Sequence, residues 1–142
     1  MEARVLVPFD GTPLSKHALE HAMETFPDAA LTTIYVIDPM DSVIDVEVGG
    51  LPVAEEWYEN AQARATDVQA IATELAAERG RELDTVTAVG RPVREVLDYA
   101  DERDVSHIVL GSHGREGVER ALLGSVAERV VRRARVPVTV VR

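Results

Sequence analysis

The stretch ARVLVPFDGTPLSKHALEHAMETF, residues 3–26, indicates how this chain folds. It opens with a short apolar run, Val5–Val7, which is typical of a buried strand, and then passes through a polar turn. Thr12 is suited to cap a helix and Pro13 fits the first helical position. Apolar residues then recur three and four positions apart as far as Phe26. The stretch therefore predicts a β-strand followed by an amphipathic α-helix.

The same alternation continues along the whole chain and is typical of a parallel sheet wrapped by helices. Helical patterns follow the first, second, third and fourth strands, the longest of them over Ala54–Arg79. Right-handed crossovers leave few topologies, so we predict an α/β, Rossmann-like domain, doubly wound, with four helices and a five-stranded parallel sheet in the order 3-2-1-4-5. Its single domain would span residues 1–142. The predicted strands are Ala3–Pro8, Leu31–Ile37, Leu83–Val89, Val105–Leu110 and Val138–Val141.

Composition excludes several classes of protein. The chain has 142 residues, 15 basic and 25 acidic, with a net charge of −10. That balance argues against a nucleic-acid or anionic-membrane binder, and the absence of cysteine excludes disulfides and thiolate sites. No apolar run is long enough to span a membrane and no secretory signal opens the chain. A cytoplasmic protein is expected.

The basic residues are almost all arginine, since Lys16 is the only lysine. Few lysines with many acidic residues suit a protein that stays dispersed in concentrated salt. A halophilic protein is one hypothesis, and an acidic protein from a GC-rich genome is the other.

The loops after the first and fourth strands are where a ligand is expected. In open parallel sheets, ligands bind beyond the carboxyl ends of the strands, where the strand order reverses. The loop after the fourth strand holds Gly111–Arg115, and Gly124–Val126 opens the next helix. The glycines permit positive φ and a close approach of the backbone to a ligand. The pair Ser125 and Glu128, three residues apart, predicts a capping box. A helix start with free N–H groups favours a phosphate, although a plain loop with a plain cap fits the same residues.

The spacing Gly-x2-Gly-x9-Gly-Ser resembles the nucleotide motif of the universal stress protein family. Its residues are Val109–Arg115 and Leu123–Val126. The resemblance extends over the whole chain, through Val7–Thr12, Tyr35–Asp38 and Val136–Val141. It implies the branch of the family that binds ATP, since members without these glycines generally do not.

The resemblance implies the following nucleoside site. Asp10 would lie beside the nucleoside and accept from a ribose hydroxyl or an adenine amine, although it also suits a cap of the following turn. Pro8 would flank the same pocket. The backbone of Val36 would meet the adenine edge, and Leu110 and Gly111 would lie under the sugar.

For the phosphates, the resemblance implies a cradle of main-chain N–H groups and one hydroxyl, that of Ser125. Two side chains near the motif could also reach the phosphate tail. The N–H donors would be Gly114, Gly124, Ser125 and Val126, and the two side chains are His113 and Arg115. A substitution Gly124→Val is expected to block this approach while leaving the fold mostly intact.

The function expected from this reasoning is ATP binding in a stress-response signal or switch. Mg²⁺ or Mn²⁺ would be held through the phosphates, without a dedicated protein metal site. Ser125 is not expected to be a nucleophile, because no His or Asp has an evident catalytic relation to it. A slow ATP hydrolase, or a nucleotidyl or phosphoryl transferase, remains an alternative, as does a nucleotide-free dimeric scaffold. The long loop Asp38–Pro52 carries no motif that assigns it a role.

A homodimer is also expected, because the last strand is apolar and would lie at the edge of the sheet. An uncovered edge strand tends to pair with another strand. If two copies related by a two-fold axis paired their Val138–Val141 strands, the unpaired main-chain groups of both edges would be satisfied at once. The family resemblance implies the same dimer.

Several histidines look more specific than they are. His17 and His21 are four residues apart on the first helix, but a solvated helix face explains them better than a metal site. His107 lies within the fourth strand and is interpreted as a hydrogen-bonded core residue.

Overall fold

Parallel strands and helices alternate along the chain in the computed structural model, which describes residues 2–40, 54–113 and 123–142. The strands are β1 Arg4–Pro8, β2 Ala30–Ile37, β3 Asp84–Val89, β4 His107–Gly111 and β5 Val138–Val141. The helices are α1 Pro13–Thr25, α2 Ala54–Glu78, α3 Pro92–Glu102 and α4 Ser125–Arg133. All nine predicted elements lie in the described residues, and β4 begins two residues later than predicted.

The sheet has the order β3-β2-β1-β4-β5 and every neighbouring pair is parallel. This confirms the predicted fold. The chain winds outward from β1 to β3, then crosses to β4 and β5 on the other side. The strand order therefore reverses between β1 and β4, while β3 and β5 form the two edges.

The core consists of two layers, because successive side chains of a strand point to opposite faces of the sheet. Val5, Val7 and Val109 face α1 and α2. Leu6 and Ile108 face α3 and α4 on the other side. Burying each of these side chains contributes roughly 1.5–3 kcal/mol, and their positions in the two central strands align the carboxyl ends of β1 and β4.

The buried face of α2 differs in part from the predicted apolar line, which comprised Ala61, Ala65, Val68, Ala72 and Leu75. Val68 and Leu75 are only partly buried, whereas Ala76 and the polar Gln69 are buried. The Gln69 amide accepts from the hydroxyl of Thr33 at 2.7 Å and donates to the carbonyl of Val86 at 2.9 Å. These bonds tie α2 to β2 and β3.

His107 begins β4 and lies between α1 and the edge strand β5. Its Nε2 is 2.7 Å from the hydroxyl of Thr139, and its ring centroid is 4.8 Å from that of Phe26. The predicted hydrogen bond is confirmed, although the residue is only partly buried. Burial, and secondarily the charge of His21, lowers the pKa of His107 below its ordinary value of 6.5.

The lowered pKa of His107 predicts a component of the pH dependence of folding. The unfolded chain binds a proton more readily than the folded one, so this contribution is complete above about pH 6.5. It is lost as the pH falls toward the lower, folded pKa. His107→Gln is therefore expected to flatten the decline of the free energy of unfolding between about pH 7 and 5.5. Urea titrations at each pH measure the free energy of unfolding. An equal decline of that free energy with falling pH in both proteins would contradict the prediction.

Candidate functional site

The candidate site lies where the strand order reverses, at the carboxyl ends of β1, β2 and β4. Val36 and Leu110 belong to the core layer that faces α3 and α4. Pro8 lies two residues after Leu6, which belongs to the same layer, so the alternation along β1 puts Pro8 on that face too. The structure thus brings these three predicted site residues together on one face of the sheet as an apolar floor.

The main chain of Val36 faces the space beyond the end of β1. In β2, the carbonyl of Ile34 accepts from the N–H of Phe9 at 2.9 Å, whereas that of Ile37 accepts from Gly90 at 2.9 Å. Alternate residues of a strand direct their polar groups toward the same neighbour, so Val36 faces the β1 side, as Ile34 does. The strand pairing of β1 ends at Pro8. The N–H and C=O of Val36 are therefore well placed to meet the edge of a planar, hydrogen-bonding ligand.

The turn from β1 to α1 presents Asp10 at the same edge. Gly11 has φ +82°, a conformation that a side chain would strain. Thr12 is the N-cap of α1 and Pro13 is its first residue, as predicted. The Oδ1 atom of Asp10 accepts from the N–H of Thr12 at 3.1 Å and from its hydroxyl at 2.5 Å. Both readings of Asp10, as a turn acceptor and as a ligand group, are compatible with this geometry.

Gly111, at the end of β4, is required for space and not for a special φ. Among the described glycines, those with positive φ are Gly11, Gly80 and Gly90, so Gly111 does not adopt the positive φ that a glycine permits. A Cβ at Gly111 would lie 3.0 Å from the Cβ of Leu14 and 3.1 Å from its carbonyl carbon. The glycine therefore lets the start of α1 pack closely on the end of β4.

Ser112 joins the two ends of the connection between β4 and α4. Its carbonyl accepts from the N–H of Gly124 at 2.7 Å, and its own N–H donates to Val141 at 2.8 Å. Its buried hydroxyl lies 3.1 Å from Nδ1 of His113. The ring of His113 in turn lies against Gly124, where a Cβ would be 3.5 Å from its Cδ2. These contacts fix the start of α4 next to the end of β4 and place His113 beside it.

The N-cap of α4 is Gly124, which has no side chain to form a capping bond, and Ser125 is the first helical residue. The predicted capping box of Ser125 and Glu128 is therefore wrong: the N–H of Glu128 donates to the carbonyl of Gly124 at 2.9 Å. The N–H of Gly124 already binds Ser112, so it is not a free donor. Helix geometry leaves the N–H groups of Ser125, Val126 and Ala127 without intrahelical acceptors. They form a cluster of donors at the positive end of the helix.

Two of the predicted phosphate residues, Gly114 and Arg115, lie outside the described residues, and so does most of the loop Asp38–Pro52. Within the described part of the chain, no group of three or more His, Asp or Glu side chains could hold a metal ion. Of the two histidines on α1, His21 has its Nε2 atom 3.2 Å from the hydroxyl of Thr25. Across the same ranges, no helix is long and apolar enough to cross a membrane.

Sequence reasoning missed two residues that organise the site. Ser112 lies within the glycine motif, which does not predict that its main chain closes the β4–α4 connection. Thr12 was assigned to capping alone, yet its hydroxyl also binds Asp10. The spacing of two residues between Asp10 and Thr12 is a local signal for the Asx-type bond from the main-chain N–H of Thr12 to Asp10, not for the hydroxyl bond. No comparable signal identifies Ser112, because its partners Gly124 and Val141 are distant in sequence.

Comparison with known proteins identifies the family. The model of the "Universal stress protein family" matches residues 1–142. Universal stress protein MJ0531 of Methanocaldococcus jannaschii is 33% identical over 144 residues, covering 98% of this chain and 81% of that protein. The chain belongs to the universal stress protein family. The resemblance seen in the glycine motif is thereby confirmed over the full length.

Solved structures of universal stress proteins share this fold. The hypothetical protein MJ0577 of Methanocaldococcus jannaschii superposes with a TM-score of 0.83 at 26% identity, covering 99% of this chain and 96% of that one. A universal stress protein in complex with cAMP superposes with a TM-score of 0.70 at 24% identity, covering 99% and 97%. That complex shows that a protein of this fold holds an adenine nucleotide.

Proposed function

We propose that this universal stress protein binds ATP across the carboxyl ends of β1 and β4, and that the bound nucleotide makes it a signal or switch in a stress response. One observation carries the proposal. The Gly124–Ser112 hydrogen bond places the start of α4, with its N–H groups that lack intrahelical acceptors, beside the carboxyl end of β4 and next to the apolar floor described above. Helix N-termini of this kind bind phosphate groups.

The ends of the nucleotide would be distinguished by charge. The Asp10 carboxylate repels a polyphosphate, whereas the N–H groups of Ser125 and Val126 attract one. We therefore place the ribose near Asp10 and Gly111, the adenine against Val36 and Pro8, and the phosphates at α4. The imidazole of His113 lies beside Gly124 and is close enough to that helix start to approach the phosphate tail.

A divalent ion would accompany the phosphates. The described residues offer no acidic or histidine cluster for it, and Oδ1 of Asp10 is engaged by Thr12. Mg²⁺ commonly retains water and is bound largely through substrate phosphates, so Mg²⁺ or Mn²⁺ held by ATP fits these residues. Such an ion would also offset the repulsion between ATP and a chain with a net charge of −10.

Binding is favoured over hydrolysis by the arrangement of the described side chains. A hydrolase needs a base or an oriented water near the γ-phosphate and a cation on the developing charge. Asp10, the carboxylate of the described site, lies at the nucleoside end. The Nδ1 of His113 is 3.1 Å from the hydroxyl of Ser112, and no carboxylate among the described residues is bonded to its ring to strengthen it as a base. This geometry supports a nucleotide-binding protein with at most slow turnover.

Calorimetric titration of the purified protein with ATP, ADP and AMP, with and without MgCl₂, tests the proposal. Phosphate release is followed in parallel under excess ATP. We expect saturable binding of one nucleotide per chain, tighter with Mg²⁺, and no sustained phosphate release. Sustained release would favour the hydrolase, and the absence of binding by all three nucleotides would favour a nucleotide-free scaffold.

We also propose a homodimer formed through β5. The carbonyls of Pro137 and Val141 accept from β4, at 3.0 Å from Ile108 and 2.8 Å from Ser112. Strand alternation therefore turns the main-chain groups of Val138 and Val140 away from β4. These outward N–H and C=O groups are the ones that a second copy would satisfy.

The substitution Val140→Pro is expected to weaken this dimer by about 100-fold, since each copy loses one outward N–H and gains a ring at the contact. The β4–β5 hydrogen bonds do not use that N–H, so the fold should remain. Light scattering over a dilution series measures the dissociation. Thr139→Pro is the matched control, because it removes an N–H that faces β4 and should destabilise the fold itself. An unchanged dimer in the Val140 variant would contradict the proposed interface.

A further inference from the structure

The turn between β1 and α1 contains a stronger interaction than a helix cap requires. A capping hydroxyl accepts from a main-chain N–H two or three residues into the helix. Here the hydroxyl of Thr12 accepts from the N–H of Ser15 at 3.4 Å, a long bond. The same hydroxyl donates to Oδ1 of Asp10 at 2.5 Å. Hydrogen bonds to a carboxylate are about twice as strong as neutral ones, so binding Asp10 is the main role of this hydroxyl.

Both donors of Thr12 reach the same oxygen of Asp10. The main-chain N–H binds Oδ1 at 3.1 Å and the hydroxyl binds Oδ1 as well. Two bonds to one oxygen fix the rotation of the carboxylate. Among the described residues, no donor binds the second oxygen, Oδ2. Asp10 is only partly buried, so Oδ2 is available as an acceptor in a fixed position.

We propose that Thr12 is a positioning residue, which holds the Asp10 carboxylate through Oδ1 and so reserves Oδ2 for a ribose hydroxyl of the bound nucleotide. This inference rests on the proposed nucleotide function and deepens it by assigning sugar selectivity to the β1–α1 turn. A ligand that lacks the hydroxyl leaves a desolvated carboxylate oxygen unpaired, which costs binding free energy. The site therefore selects ribonucleotides over deoxyribonucleotides.

The test compares the affinities of ATP, 2′-deoxy-ATP and 3′-deoxy-ATP for the full chain. In the unmodified protein, one deoxy analogue is expected to bind about tenfold more weakly than ATP, and it identifies the hydroxyl involved. Thr12→Val has nearly the shape of threonine but lacks the hydroxyl. It should bring the ratio of the dissociation constant of that deoxy analogue to the dissociation constant of ATP close to one. Thr12→Ser, which keeps the hydroxyl, should show the same ratio as the unmodified protein.

The variant Ser15→Ala distinguishes a general loosening of the start of α1 from the loss of the Thr12–Asp10 contact. Ser15 donates its hydroxyl to the carbonyl of Thr12 at 2.9 Å, so this variant loosens the start of α1 without removing either donor to Asp10. It should lower stability and leave the selectivity ratio unchanged. An unchanged ratio in Thr12→Val, or equal binding of ATP and both deoxy analogues to the unmodified protein, would overturn the inference. Absence of binding by every nucleotide would instead overturn the proposed function itself.

Discussion

Ser125→Pro is expected to weaken ATP binding by about 100-fold while leaving α4 folded. The change removes the first N–H of α4 that has no intrahelical acceptor and the hydroxyl beside it. Hydrogen bonds to charged groups contribute roughly 1.5–3 kcal/mol each, and 1.4 kcal/mol corresponds to tenfold in affinity. Two such bonds therefore account for the expected loss. Calorimetric titration with ATP in the presence of MgCl₂ measures it.

Proline suits this position structurally. Ser125 is the first residue of α4, and Gly124 before it has φ −65° and ψ 160°, the extended conformation that a residue before proline adopts. The chain already opens α1 with Pro13 and α3 with Pro92. A proline at residue 125 therefore removes a hydrogen-bond donor without breaking a helix.

Ser125→Ala separates the hydroxyl from the main chain. It keeps the N–H and loses only Oγ, so the expected loss of affinity is about tenfold. The remaining difference between the two variants measures the main-chain amide. Full ATP affinity in Ser125→Pro, with an unchanged circular dichroism spectrum, would show that the phosphates bind elsewhere.

The parts of the fold that were predictable from sequence are those set by local pattern. Apolar runs such as Val5–Val7 are buried on both faces of a sheet, so they identify strands without knowledge of their neighbours. The handedness of crossovers then restricts the order of the strands. Thr12 and Pro13 identify the start of α1 because capping depends on adjacent residues.

The parts that were not predictable depend on partners distant in sequence. Gln69 is polar at a core position of α2, and it is buried because Thr33 and Val86 satisfy its amide. The position of the N-cap of α4 also depends on a partner that is distant in sequence. Residue preference favours Ser125, but the bond from Gly124 to Ser112 fixes where the helix starts. No pattern within the α4 segment encodes that bond.

Gly124→Val is expected to reduce both the stability of the fold and the affinity for ATP. A Cβ at this position would lie 2.8 Å from the main-chain oxygen of Ser112, a distance that forces the backbone to move. The bond from Gly124 to that same oxygen would be lost with it. Overpacking of this kind costs roughly 1–3 kcal/mol. The close contact therefore adds a loss of stability to the expectation from sequence, which is that this variant leaves the fold mostly intact.

Gly80→Val is the matched control, because it also replaces a glycine by valine and also destabilises. Gly80 has φ +66° and nothing within 4 Å of an added Cβ, so the cost there is backbone strain of roughly 1–2 kcal/mol. Gly80 follows α2 at Glu78, and its strain leaves Ser112 and the start of α4 unaffected. Urea unfolding should show a loss of stability in both variants, and titration should show a loss of ATP affinity only in Gly124→Val.

The contrast between the two glycine variants separates a general loss of stability from a local displacement of the donors. If the phosphates bind the N–H groups of Ser125 and Val126, any shift of Gly124 moves those donors relative to β4. Hydrogen bonds weaken steeply as their geometry departs from linear, so even a small shift lowers affinity. Equal ATP affinities in both folded variants would mean that closure of the β4–α4 connection does not position the nucleotide.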